Sequence, residues 1–224
     1  MLPEYLCDRL PVAGRGLAML DVTVTRPGEP VHEVLGGLEQ PNVIAAGAEI
    51  VRRFVERNDR LAQNTHPLAG RESLFVGQIH SGEIYNQSPT EFRLSATRRW
   101  LSGTSVQDVE DEYRELLQRV AQETGTSIDG QFHLTRDAFE IDPDEPLVTA
   151  FQSVFELLTG ETLPEGAKPF VDDGNTFVSR GGIPAITHGP NAKGAHTLHE
   201  EVAVSELERV ALVYALTAIT YCRD

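Results

Sequence analysis

Residues 17–25, Leu-Ala-Met-Leu-Asp-Val-Thr-Val-Thr, open the part of the chain whose pattern decides the fold. The stretch is rich in strand-forming residues, and its second half alternates apolar and polar side chains, which predicts a β-strand. A Pro- and Gly-rich stretch over 27–41 follows, and apolar residues then recur at helical spacing from Val43 to Phe54. The segment therefore begins with a strand and a helix.

The elements that follow complete a known order. They are three predicted strands at 73–80, 90–98 and 131–141, and a helix over 106–120 between the last two. The second helix follows a Thr104-x-x-Gln107 capping-box pattern and stops at Gly125. The order β-α-β-β-α-β over 17–141 is the ferredoxin-like arrangement, which forms a four-stranded sheet with two helices on one face.

The rest of the chain has a different pattern. Its predicted elements are a helix from Pro146 to about Leu158 ended by Gly160, short strands around Phe170 and at 185–188 with a small helix between them, and a last helix from about Val204. Two short strands and three helices cannot cover their own sheet faces well, because a parallel α/β layer normally contains more strands. This segment therefore resembles part of a larger domain.

Composition and charge exclude several classes of protein. The chain has 224 residues, 40% of them hydrophobic, and 19 Lys and Arg against 34 Asp and Glu give a net charge of −15. A surface this negative repels phosphate, so we expect neither nucleic acid nor an anionic membrane as a partner. No apolar stretch reaches the ~20 residues of a spanning helix, and no signal-peptide pattern is visible. Cys7 and Cys222 lie at opposite ends of the chain, which favours free thiols and a cytoplasmic protein.

One loop concentrates residues that could bind a metal. Gly189-Pro-Asn-Ala-Lys-Gly-Ala-His-Thr-Leu-His-Glu-Glu201 carries His196, His199, Glu200 and Glu201 just before a predicted helix. Imidazole and carboxylate are usual zinc ligands, and loops after strands are common places for sites. By spacing alone, a solvated loop and helix cap is the favoured interpretation. Nucleotide-binding, serine-hydrolase and zincin motifs are absent from the sequence.

A resemblance to a known family changes this interpretation. Gly182-Ile-Pro, Gly189-Pro190 and Gly194-Ala-His-Thr-Leu-His-Glu200 resemble the C-terminal "G-I-P…G-P…G-A-H-T-x-x-E" of the dinuclear zinc amidohydrolases. That family includes acetylornithine deacetylase, succinyl-diaminopimelate desuccinylase, glutamate carboxypeptidase and aminoacylase. The resemblance makes His196 the counterpart of the family's last zinc ligand. His199 stands where the family often has Asp, outside the ligand set.

The first part of the chain resembles the lid of the same family, which is also its dimerisation domain and has the order βαββαβ. Four matches occur in register: Gly28-Glu-Pro-Val-His32 with "G-x-x-x-H", Asn42-Val-Ile44 with "N-A-I", Gly82 to Pro89 with "G-x-x-x-N-x-V-P", and Arg99-Trp-Leu-Ser-Gly103 with "R-x-x-P-G". The resemblance thus implies an α/β protein. Its segments are residues 1–16 as the end of the N-terminal part of the catalytic domain, 17–142 as the lid, and 143–224 as the catalytic domain's C-terminal part.

The resemblance also shows what this sequence lacks. The family's first His, its bridging Asp and its Glu-Glu pair have no counterparts here, and the pair supplies the general base. Glu4 precedes Gly16 at the spacing of the family's "E-P-T" glutamate, although Tyr5 does not reproduce the Pro-Thr. By default an N-terminal glutamate is a solvated charge, and the resemblance adds Glu4 as a second candidate ligand. A dinuclear site needs more donors than His196 and Glu4.

The resemblance implies roles for the remaining residues. Two zinc ions, or cobalt or manganese in their place, activate water to attack an amide carbonyl. His32 would donate a hydrogen bond to the developing oxyanion in the partner's site, across a homodimer formed through the lid. Asn86 would line the same cleft, and Arg99 would bind a substrate carboxylate. Without the resemblance, Arg99 and the adjacent Arg98 are predicted to be surface ion-pair partners.

The sequence therefore predicts the C-terminal half of a metal-dependent hydrolase that cleaves the amide bond of an N-acyl amino acid or small peptide. We expect this chain alone to be inactive. Two alternatives remain open: a stand-alone dimerisation or ligand-binding module without catalysis, and one subunit of a split enzyme. The sequence does not reveal the acyl group or amino acid of the substrate.

Overall fold

The computed structural model describes residues 1–223. The strands are β1 (Leu10–Gly14), β2 (Leu17–Thr25), β3 (Val31–His32), β4 (Thr65–His66), β5 (Gly70–Arg71), β6 (Ser73–Ser81), β7 (Gln87–Ser88), β8 (Glu91–Arg99), β9 (Ser127–Arg136), β10 (Phe139–Glu140), β11 (Glu165–Lys168), β12 (Ala192–Lys193) and β13 (Glu201–Val202). The α-helices are α1 (Val43–Leu61), α2 (Val106–Thr124), α3 (Pro146–Thr159), α4 (Asp173–Ser179) and α5 (Val204–Tyr221). Two short 3₁₀ helices, Glu33–Leu35 and Gly37–Glu39, precede α1.

The chain divides into two compact units. The lid unit comprises Leu17–Thr65 and Arg71–Thr135. The terminal unit comprises Met1–Gly16, His66–Gly70 and the chain from Arg136 onward. The lid unit begins after Gly16, at the position expected from the sequence. It ends before Arg136 and not at residue 142, because β10 pairs with β1 of the terminal unit.

The lid unit is a four-stranded sheet with the order β6-β8-β2-β9, which is the strand order of the ferredoxin-like fold. Alternate residues of β2, from Ala18 to Val24, are buried, and their neighbours are half-buried or exposed. This period-2 burial places one face of the sheet against α1 and α2. The core between them includes Phe54, Phe92 and Trp100. The predicted lid fold is thus confirmed.

Local caps fix the ends of the lid helices. The Asn42 side chain accepts a hydrogen bond from the Ala45 N–H and begins α1. The cap of α2 is Ser105, which accepts from the Asp108 N–H, so the predicted Thr104 capping box was wrong by one residue. Gly125, with φ of 65°, ends α2 in the left-handed region, as the sequence indicated.

The terminal unit contains a three-stranded sheet with the order β10-β1-β11. Strand β1 is entirely buried and was not foreseen from the sequence, because Pro11 interrupts a short apolar run. The helices α3 and α5 pack together beside this sheet, and the core includes Leu10, Phe151 and Val213. Instead of the predicted strand at 185–188, the structure has an isolated parallel bridge between Thr187 and Leu2. The strand predicted around Phe170 ends earlier, at Lys168.

Two further features concern the whole described chain. Within residues 1–223, no helix is long and apolar enough to cross a membrane. The thiols of Cys7 and Cys222 are free, as the sequence favoured, with Cys7 half-buried and Cys222 exposed.

Candidate functional site

The N-terminal residues of the terminal unit lie alongside residues 186–189. The Leu2 N–H donates to the Ile186 carbonyl at 2.8 Å, and the His188 N–H donates to the Leu2 carbonyl at 3.1 Å. The Gly189 N–H continues this pattern by donating to the Leu6 carbonyl at 2.9 Å. These backbone bonds place Glu4 beside the start of the loop that carries His196.

Gly189 permits this close approach. A Cβ atom at position 189 would lie 1.9 Å from the Glu4 carbonyl oxygen and 2.7 Å from the Glu4 carbonyl carbon. Both distances are far inside van der Waals contact, so any side chain at 189 would displace the backbone of Glu4. The glycine of the "G-P" match therefore has a physical role in positioning Glu4.

A short hairpin presents His196. Strands β12 and β13 pair antiparallel, with Ala192 opposite Val202 and Lys193 opposite Glu201, so the loop between them closes on itself. His196 has φ of 64°, the left-handed region that a non-glycine residue adopts only when its surroundings hold it there. Thr197 supplies part of that constraint, because its hydroxyl donates to the Gly194 carbonyl at 2.7 Å.

Glu4 and His196 open onto one cavity of about 310 Å³. The other residues that line it are Pro3, Tyr5, Pro190, Ala192, Ala195, Glu200, Glu201 and Val202. The structure thus brings together the two residues predicted as metal ligands, which are 192 positions apart in the sequence. An imidazole and a carboxylate facing one cavity are donors of the type that zinc binds.

Electrostatics distinguish Glu4 from a solvated surface carboxylate. Burial raises its pKa above the ordinary value, and the nearby Asp172 carboxylate raises it further. The buried Lys168 ammonium, which pairs with Asp172, opposes this shift. A cation near Glu4 would favour its charged form. Sequence analysis missed Lys168 and Asp172, since only the approach of the N-terminus to residue 189 brings Glu4 near them.

The two donors are too few for a metal site by themselves. Among residues 1–223, no group of three or more His, Cys, Asp and Glu side chains is arranged to hold a metal ion. Structural and catalytic zinc sites use three or four protein ligands. Glu4 and His196 therefore fit a metal site only as part of a larger set of donors.

The lid unit brings His32 and Asn86 together. Strands β3 and β7 pair, and the side-chain amide of Asn86 lies 2.8 Å from His32 Nε2. His32 Nδ1 accepts a hydrogen bond from the Val34 N–H at 3.4 Å. In the tautomer that accepts at Nδ1, the ring proton lies on Nε2 and faces Asn86, whose amide then presents its Oδ1. That tautomer makes His32 an Nε2–H donor, with Asn86 as its acceptor in this chain.

Arg99 lies apart from this pair. It is the last residue of β8, whereas Asn86 lies five residues before the first. Arg99 lies eight positions after Glu91 along the strand, a span of about 26 Å. Arg99 therefore cannot contact the same small molecule as His32 and Asn86 within one lid unit, and its role in substrate binding stays a prediction.

The environment of Arg98 differs from the predicted surface ion pair. It forms an ion pair with Glu72 at 2.5 Å, but both side chains are buried, so the pair is not at the surface. The alternation of β8 explains this, because Phe92, Leu94, Ala96 and Arg98 all face the helices. The Thr104 hydroxyl donates a further hydrogen bond to Glu72 at 3.3 Å.

Comparison with family models gives the identification. Residues 12–125, just over half of the chain, match the model described as the peptidase dimerisation domain of the M20 peptidases. The chain belongs to the M20 peptidase family. The matched range covers most of the lid unit and includes both His32 and Asn86, and the predicted family is confirmed. No curated protein matches the chain at a significant level.

Solved structures show the same fold over almost the whole chain. Aminopeptidase PepT from Bacillus cereus is similar with a TM-score of 0.78 and 16% identity, over 96% of this chain and 54% of that one. A tripeptidase from Staphylococcus aureus gives 0.77 and 18%, over 98% and 56%. A dinuclear metal-binding M20 peptidase from Bacillus subtilis gives 0.67 and 14%, over 97% and 53%. This chain spans about half the length of these M20 structures.

Proposed function

We propose that this chain is the lid and the C-terminal part of the catalytic domain of a dinuclear metal-dependent hydrolase. The complete enzyme would cleave the amide bond of an N-acyl amino acid or a small peptide in the cytoplasm. The observation that carries the proposal is the cavity shared by Glu4 and His196 in a chain of the M20 family. The peptidases named among its structural neighbours support an amide bond as the target.

The residues of this chain would supply two parts of the chemistry. Glu4 and His196 would hold metal together with donors from outside the described residues, and bound zinc, cobalt or manganese would lower the pKa of water and polarise the carbonyl. In the tautomer with its proton on Nε2, His32 would turn this N–H from Asn86 to the oxyanion in the partner's site, with Asn86 lining that cleft. Arg99 would bind a substrate carboxylate through its guanidinium fork.

Exposed apolar side chains support a larger catalytic domain. Helix α5 leaves Val204, Leu207, Leu212 and Ile219 exposed. A face of this kind normally packs against another part of a protein. We propose that the remainder of the catalytic domain covers it.

The first test uses the isolated chain. We expect it to copurify with well under two zinc ions and to show no amidase activity, because His196 and Glu4 are its only proposed ligands. Metal content is measured by mass spectrometry, and turnover is measured with N-acetyl amino acids and tripeptides. Two bound metal ions per chain together with turnover would overturn the fragment proposal.

The second test separates His196 from His32 in the complete enzyme. His196→Ala should lower metal content and activity together. His32→Ala should leave metal content and melting temperature unchanged and lower kcat by about 10²–10³, because the oxyanion exists mainly in the transition state. Near-normal kcat with a lowered melting temperature would instead show that His32 only caps the turn before α1. No effect of either variant on metal content, kcat or melting temperature would show that neither residue has its proposed role.

We also propose a homodimer through the lid. Strand β6 is an edge of the sheet and packs next to α1. Ile79 of β6 is 55% exposed and Val55 of α1 is 53% exposed. An open edge with apolar neighbours is a common pairing surface. Light scattering at tens of micromolar should show a dimer that Ile79→Lys with Val55→Glu converts to monomers. Met19→Lys, at a position 51% exposed on central strand β2, is the control and should stay dimeric.

A further inference from the structure

The sheet of the lid unit loses its backbone hydrogen bonds just before the strands that carry His32 and Asn86. Strands β2 and β8 pair up to Thr25 opposite Glu91, and the Arg26 N–H still donates to the Thr90 carbonyl at 3.1 Å. Pairing resumes only at β3 and β7, with Val31 opposite Ser88. The chain therefore contains a gap between the main sheet and the short ribbon of His32.

Prolines prevent backbone groups from filling this gap. Residues 27, 30 and 89 are proline, and proline has no N–H to donate. The carbonyl groups of the two segments therefore need donors from a side chain or from water, since an unpaired buried carbonyl is costly. A ladder of the usual kind cannot connect the two strand pairs.

The guanidinium of Arg26 supplies those donors. Its Nε donates to the Pro89 carbonyl at 2.9 Å and its Nη1 donates to the Pro27 carbonyl at 2.9 Å. Its Nη2 donates to the Ser88 carbonyl at 2.8 Å and to the Glu29 carbonyl at 3.1 Å. Four carbonyls, two from each segment, thus converge on one side chain.

Arg26 is also a buried cation with an unusual set of partners. Its residue is only 5% exposed, and no carboxylate within the described part of the chain forms an ion pair with it. Buried arginines usually pair with a carboxylate. Here four of the five N–H donors of the planar guanidinium are directed at backbone carbonyls, which suits a role in holding two segments at a fixed separation.

The segments that Arg26 joins lead directly to the candidate residues. Pro27 and Glu29 precede His32, and Ser88 and Pro89 follow Asn86. Beyond them the ribbon closes with the Glu33 N–H donating to the Asn86 carbonyl at 3.0 Å. Few other hydrogen bonds fix the ribbon, because β3 and β7 have two residues each.

We infer that Arg26 is a positioning residue, whose guanidinium joins the two lid segments and holds His32 and Asn86 in hydrogen-bonding register. Without it, the ribbon would separate from the end of the sheet, and the His32 ring would lose its fixed direction. The catalytic consequence rests on the proposed function of His32, whereas the positioning itself does not.

The test measures the ribbon in the full chain as it stands. In Arg26→Met, amide hydrogen exchange at Glu33 should become about tenfold faster or more, since opening of the ribbon no longer breaks bonds to a charged donor. The Val22 amide in the middle of β2 should exchange at an unchanged rate. Ring ¹⁵N shifts of His32 should move from those of one fixed tautomer towards the average of two.

Two variants keep the result interpretable. Arg26→Lys retains the charge, but its three donors radiate from one nitrogen and cannot reach both segments. It should therefore show the same changes at Glu33 and His32, and it replaces Arg26→Met if that variant fails to fold. Arg114→Met removes an exposed arginine of α2 that pairs with Glu110 and should change neither signal. Unchanged Glu33 exchange and His32 tautomer in folded Arg26→Lys would overturn the inference.

The two proposals can fail separately. If His32→Ala leaves kcat of the complete enzyme near normal, the oxyanion role is wrong, while the exchange and tautomer results for Arg26 still stand. If those results are negative while His32→Ala lowers kcat, Arg26 is not what positions His32, and the proposed function survives.

Discussion

Acid should destabilise the terminal unit through His188. Its ring is fully buried, in edge contact with Phe151 and Phe155 at centroid distances of 5.1 and 5.5 Å. Within residues 1–223, neither ring nitrogen has a hydrogen-bond partner of normal geometry. Burial, and secondarily the Arg209 cation, lowers the pKa of His188 to about 4, against smaller opposing effects of the Cys7 backbone and Glu206.

The sign and size follow from proton binding. Because the folded-state pKa lies below the ordinary value of about 6.5, the unfolded chain binds the proton first as the pH falls. The stabilisation from neutral His188 is complete above about pH 7.5 and is lost as the pH falls towards 4. With a folded-state pKa of about 4, protonation lowers the free energy of unfolding by roughly 3.4 kcal/mol in all. About 1.3 kcal/mol of this stability is lost between pH 7.5 and 5.5.

The assay compares the wild-type chain with His188→Phe. Urea unfolding is followed by the NMR methyl signals of Val154 and Ile186, which lie in the same core, and measurements stay above pH 5.5 because the sequence pI is about 4.8. The wild-type chain should lose about 1.3 kcal/mol more than His188→Phe between pH 7.5 and 5.5. The reasoning is refuted if the ring signal that His188→Phe removes titrates near pH 6.5, or if both proteins lose equal stability.

Three further substitutions test the packing around the candidate residues. Glu72→Gln should destabilise the lid unit by about 3–5 kcal/mol, because it leaves the Arg98 charge buried without its partner, and fluorescence of the buried Trp100 in urea measures this. Ser105→Ala should cost about 1 kcal/mol in the same assay, through loss of the α2 cap, and no change would show that Thr104 caps instead. Gly189→Ala should destabilise the terminal unit by about 1–3 kcal/mol, because its Cβ would collide with the Glu4 backbone, as read from urea unfolding by the Ile186 methyl signal.

The lid could be predicted from sequence because its information is local. Strands β2 and β8 each bury every second residue, and α1 and α2 each begin at a side-chain cap and bury one stripe. Such periodicities can be recognised from a short run of consecutive residues. The order of the elements then leaves few topologies, and the ferredoxin-like order follows.

The terminal unit was harder to predict because its contacts are distant in sequence. Strand β1 is buried by β10 and β11, which lie more than 120 residues later, and its own five residues show no alternation. The backbone of residues 186–189 is satisfied by Leu2 and Leu6, so an apolar run that resembles a strand has no sheet to join.

The same distinction explains which candidate residues the sequence revealed. His32, Asn86 and His196 stand in short motifs, so a resemblance could identify them residue by residue. Arg26 stands in no motif, since its partners are four carbonyls, and a carbonyl is present at every position whatever the side chain. The only local signal is the prolines at 27, 30 and 89, which remove backbone donors near one arginine. Two proline-containing segments that converge on a buried arginine therefore indicate a lost backbone ladder, and this pattern is where similar positioning residues should be sought.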